Sequence, residues 1–135
     1  MRHRVLLVRE WNAGMPGGCC GGASAGIGAE GGAREAPASV RAEVHAMAAV
    51  YLALRRRWSG DEVEITVADP RNMVWLLPTV WRDGRRRGLS RRQAWHQTRR
   101  VARNAVVVDG EVVFTGTPPH PAEAVAIVGA ALARG

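Results

Sequence analysis

The sequence predicts an α/β domain, a four-stranded mixed sheet with helices on both faces and the element order β-α-β-α-α-β-β-α. Three observations carry this. Val5-Leu-Leu-Val8 is an unbroken apolar run, typical of a strand covered on both sides. Val40, Val44, Met47, Tyr51, Leu54 and Trp58 recur at steps of four and three, which is one face of a helix. Asp109-Gly110 sits between Ala105-Val-Val-Val108 and Glu111-Val-Val-Phe114, a hairpin signal suited to a type I′ turn.

The remaining elements follow in chain order. Pro37 suits a first helical turn, Arg55, Arg56 and Arg57 suit the negative end of the dipole, and Gly60 suits a left-handed terminator. Val63-Glu-Ile-Thr-Val67 alternates at period two and stops at Asp69-Pro70, so it is a strand, parallel to the first because a helix joins them. A helix from Val74 to Arg86 follows, with Pro78 kinking it or opening its second part. Ser90 and Gln93 form a capping box that starts the next helix, expected to reach about Arg103. Pro118, Pro119 and Pro121 end the hairpin and lead into a last helix that buries Ala124, Val125, Ile127, Val128, Ala131 and Leu132, with His120 helping its entry.

At 135 residues and 14.5 kDa the chain has room for one domain, with a glycine-rich loop at 14–36. Nine glycines between Gly14 and Gly32 lose too much backbone entropy to favour helix or strand. No apolar run approaches the ~18 residues of a membrane span, and the apolar part of Met1–Val8 is too short for a secretory signal. A cytoplasmic location is expected. The formal charge is +7, and all cations other than histidine are arginine. Arg82 to Arg103 holds nine arginines against one acid, Asp83, whereas the rest of the chain holds 10 arginines against 11 acids. The excess charge is therefore local.

The element order, with Gly-Cys19-Cys20-Gly in the loop after the first strand and the Val-Val-Val-Asp-Gly hairpin before the last helix, resembles the thioredoxin-like superfamily. The resemblance is greatest to small bacterial disulfide-oxidoreductase-related proteins and covers nearly the whole chain. It implies a thiol–disulfide or redox-sensing role, with Cys19 and Cys20 in the redox position and Arg103-Asn104 in the opposing loop before the hairpin. Three features depart from the family pattern, the first being that the cysteines lie about 17 residues upstream of Pro37, away from a helix N-terminus that would stabilise a thiolate. The cysteines are adjacent instead of separated by two residues, and Arg103-Asn104 stands where the family has proline.

Adjacent cysteines form a strained ring when oxidised, which distorts the peptide between them and favours easy reduction; flanking glycines accommodate the distortion. Two thiols do not fill a closed metal site, so a metal or electron-transfer role requires further ligands, such as His3, His45 or a second copy of the chain. No cofactor is expected. Gly26-Ile-Gly-Ala-Glu-Gly31 matches a dinucleotide-binding pattern, but it does not join a strand directly to a helix, and Glu30 repels phosphate, so we read it as a chance match in a glycine-rich loop.

On the third helical stretch of sequence, the one opened by Ser90, Arg92, His96, Arg99 and Arg103 fall on one stripe, and Ala94, Trp95, Thr98, Val101 and Ala102 on the opposite arc. This predicts a buried apolar arc and a positive ridge, the ridge being a solvated face or a docking surface for an acidic protein partner. A protein partner, acidic or a thiol substrate, fits these features better than nucleic acid, for which there is no motif and few expected exposed aromatics. Val74-Trp-Leu-Leu77, Val80 and Trp81 are expected to cover a sheet face. No serine–histidine–acid set, carboxylate pair or phosphate loop is present. Oligomeric state is not encoded in any of these features.

Overall fold

The computed structural model describes residues 2–9 and 37–135. Its elements are β1 (His3–Val8), α1 (Ala38–Arg57), β2 (Val63–Ala68), α2 (Met73–Arg86), α3 (Arg91–Arg100), β3 (Val106–Val108), β4 (Glu111–Phe114) and α4 (Pro121–Leu132). The four strands form one mixed sheet in the order β2-β1-β3-β4. β1 pairs parallel with β2, Val5 opposite Ile65, and antiparallel with β3, Leu6 opposite Val107. The glycine-rich loop lies outside the described residues.

The apolar run in β1 has the expected meaning. Val5 and Leu7 point to one face, where they meet Met47, Val50 and Leu54 of α1 and Ala124, Val128 and Ala131 of α4. Leu6 and Val8 point to the other, against Leu76 and Val80 of α2 with Val107 and Val112. Successive strand side chains alternate sides, so only a strand between two helical layers can bury four in a row. The period read in α1 holds from Met47 to Leu54, with Tyr51 and Trp58 half-buried against the core. Val50, outside the predicted stripe, is fully buried because the face in contact is wider than one line of residues.

The hairpin forms as expected. Asp109 (φ 47) and Gly110 (φ 79) are its two turn residues, and Val108 pairs with Glu111. Both residues being left-handed defines the type I′ turn. The Ser90–Gln93 capping box is present, and His120 Nδ1 accepts from the Ala122 N–H at the start of α4. Pro78 neither ends nor divides α2, which is continuous through it. No helix among the described residues is long and apolar enough to cross a membrane.

Three expectations are corrected. Gly60 is not left-handed: α1 ends on Trp58 in an extended conformation, its N–H donating to the Leu54 carbonyl, so the chain leaves by a strand-like path. α3 ends at Arg100, with Val101 extended as its C-cap, so Arg103 is not on its ridge. Trp95, placed on the buried arc by its 100° phase, is 60% exposed. α3 is thin where it packs, resting on Ala94 and Thr98 alone as fully buried side chains, and the next position round the helix is already in solvent.

Candidate functional site

β1 and β3 are antiparallel, so the carboxyl end of β1 lies beside the segment that enters β3. There the Val8 N–H donates to the Ala105 carbonyl (2.9 Å) and the Asn104 N–H to the Val8 carbonyl (2.8 Å). Arg9 N–H donates across to Ala68 of β2 (2.9 Å). The same edge receives the first turns of α1. Asn104 Nδ2 donates to Glu43 Oε2 at 3.1 Å, and Arg103 Nη2 lies 3.5 Å from that oxygen. A small cleft results, lined by Arg9, Val40, Glu43, Val44, Arg103 and Asn104.

Asn104 is buried and left-handed at φ 62. Asparagine tolerates that conformation better than most residues because its short polar side chain compensates locally. Here the carboxamide is tied to α1, so the predicted opposing loop is a fixed corner. Arg103 belongs to this corner through Glu43; its assignment to a basic docking ridge with Arg92, His96 and Arg99 is therefore corrected, because the helix stops three residues earlier. Arg92, His96 and Arg99 do share the exposed side of α3.

Cys19 and Cys20 lie outside the described residues, as does the Gly26–Gly31 match. The chain between Arg9 and Pro37 leaves and rejoins the described fold at this edge, since Arg9 directly follows β1 and Pro37 caps α1. Of the histidines named as metal ligands, His3 Nδ1 is 2.7 Å from Asp109 Oδ2 and His45 is exposed on α1. Among the described residues, no group of three or more histidine, cysteine, aspartate or glutamate side chains could hold a metal ion.

A second constellation lies at the amino end of the sheet and had no signature in the sequence. Asp109 accepts from the Arg4 N–H through Oδ1 (2.7 Å) and contacts His3 through Oδ2. Arg4 bridges Asp83 (3.2 Å) and Glu64 (3.4 Å). Burial alone would lower the Arg4 pKa, but Asp83 and then Glu64 outweigh it and raise it above the ordinary value. These groups, with Arg2, Arg86 and Arg87, line an open cavity of about 520 Å³. Their sequence separations of 60 to 106 residues explain why no local pattern announced them.

The described residues therefore define an α/β domain with a parallel pair at one side of its sheet, an antiparallel hairpin at the other, and a polar corner where the first strand ends. Compared with family models, curated proteins and solved structures, the chain has no match.

Proposed function

We propose that the chain is a thioredoxin-like protein in which Cys19 and Cys20 exchange with disulfides or sense redox state. The observation that supports the reading most is the junction of Arg9, Pro37, Glu43 and Asn104. The 27 residues that separate Arg9 from Pro37 contain both cysteines, and they start and finish at the carboxyl end of the central strand. In open α/β sheets, reactive groups gather at that end. The buried, doubly hydrogen-bonded Asn104 supplies a fixed wall opposite it.

The chemistry balances within the pair and its substrate. One thiolate attacks a substrate disulfide and forms a mixed disulfide, releasing the first substrate thiolate. The neighbouring thiolate then attacks the chain's own sulfur, closing the Cys19–Cys20 disulfide and releasing the second. Two electrons pass from the cysteine pair to the substrate. A sensor runs the first oxidation in the same way and is reset by a reducing dithiol.

Intact mass of the protein isolated with its thiols unblocked, before and after reductant, tests this directly. A gain of about two mass units on reduction is expected. Complete labelling of both cysteines by iodoacetamide after mild oxidation, with no reductant added, removes the reading.

A further inference from the structure

We propose that the outer face of α2 and α3 binds single-stranded nucleic acid, independently of sequence, with arginines along the phosphates and tryptophans against the bases. Charge supplies the first argument. From Arg71 to Val108 the sole acid is Asp83, and it is buried and turned inward to Arg4 at 3.2 Å. Arg82, Arg92, Arg99 and Arg100 are exposed and have no acidic partner among the described residues. An unneutralised face of one sign attracts a polyanion.

The aromatic rings supply the second. Gln97 Oε1 accepts from the Val112 N–H, which turns that side of α3 toward the edge of the sheet. Trp95 is about 160° around the helix from Gln97, so its ring faces away from the sheet, at 60% exposure. On α2, a Cβ added to Gly84 would lie 3.6 Å from the Ala94 Cβ, which identifies the side turned to α3. Trp81, one turn before Gly84, is on that side and is 37% exposed. Each helix thus places one indole on a shared outer layer, and α3 sets the unpaired guanidinium groups of Arg92 and Arg99 beside it.

Spacing selects the occupant. Arg92 and Arg99 are two turns apart, about 10.5 Å, the length of about three stacked nucleotides, and Trp95 lies between them. Rings flanked by guanidinium groups suit bases and phosphates in alternation, and stacking tolerates any base. A helix lying in a membrane surface needs a continuous apolar face, whereas the exposed side of α3 has Trp95 among arginines, glutamine and histidine.

The test uses the full chain with a fluorescein-labelled 12-mer of deoxythymidine, followed by anisotropy at 50 to 300 mM salt. Binding is expected with a log–log salt slope of about −3, corresponding to about four phosphates. Trp95→Ala is expected to weaken it about tenfold at unchanged slope, and Arg92→Ala/Arg99→Ala to reduce the slope by about 1.4. Thermal melting of each variant confirms that it is folded, and Arg71→Ala, two residues before α2 and paired with Asp69, serves as a folded control that retains binding. Poly-glutamate and vesicles of anionic phospholipid are the competing ligands. Absence of oligonucleotide binding at 50 mM salt overturns the proposal. So does equal or tighter binding to poly-glutamate or vesicles, or a Trp95→Ala variant that binds like the parent chain.

Discussion

Gly110 and Gly88 are both left-handed, at φ 79 and 96, but they answer to different constraints. A methyl group at Gly110 would overlap the Gly84 backbone and the Val80 carbonyl oxygen, because α2 rests directly on the hairpin turn. At Gly88 it would meet nothing within 4 Å. Gly88→Ala therefore incurs only the left-handed penalty, about 1 kcal/mol, whereas Gly110→Ala adds backbone displacement and costs about 3 kcal/mol or more. Urea midpoints at constant slope measure both, and equal losses would show that the helix and turn separate without cost. Asp83 is constrained by charge instead. It is 7% exposed, with Arg4 at 3.2 Å and Arg86 at 4.0 Å. Asp83→Ala leaves the partly buried Arg4 with the more exposed Glu64, and a loss of about 2 kcal/mol is expected by the same titration.

The helices differ in what holds them. α3 is short and mostly polar, and its capping box, Gln97 and the small Ala94 fix it where packing is thin. α2 has a strong apolar side but carries Pro78, which cannot donate to the Val74 carbonyl one turn earlier. Pro78 is exposed, so Pro78→Ala restores that bond without disturbing the core, and a gain of about 2 kcal/mol is expected in thermal melts. This is also the scale at which sequence is most readable. Ser90 with Gln93 and Asp109 with Gly110 were identifiable because each signal is complete within four residues. Trp75 and Trp81 were not: six of the eight residues from Val74 to Trp81 are apolar, and phase alone does not say that Leu76 and Val80 are buried while Val74 is 90% exposed. That choice is made by Leu6, Val8 and Val107, which meet one side of α2 only.

Over the whole molecule, one side chain joins the elements that close the fold. Arg87, just after α2, donates to the Val108 carbonyl (3.3 Å) and the Ala131 carbonyl (3.2 Å), and its Nη1 is 3.0 Å from Glu111. It therefore connects α2, the hairpin and the end of α4, and nothing in the run of arginines around it distinguishes it in sequence. Arg87→Ala removes both carbonyl contacts and the Glu111 ion pair, and although the Ala131 carbonyl keeps the Arg134 N–H the three elements lose their shared tie, for an expected loss of about 2 kcal/mol; Arg87→Lys recovers less than half because a single ammonium cannot make the forked contact. The functional proposal depends on the opposite property, a chemistry separable from stability. The two faces of β1 are closed by α1, α4 and α2, and the corner at Asn104 is held by Glu43 and Val8. Cys19→Ser/Cys20→Ser is thus expected to melt within about 0.5 kcal/mol of the parent under reducing conditions, while losing the two-mass-unit response to oxidant. A large fall in melting temperature in the reduced state would make the cysteines part of the scaffold, and their retention in the chain would then need no redox explanation.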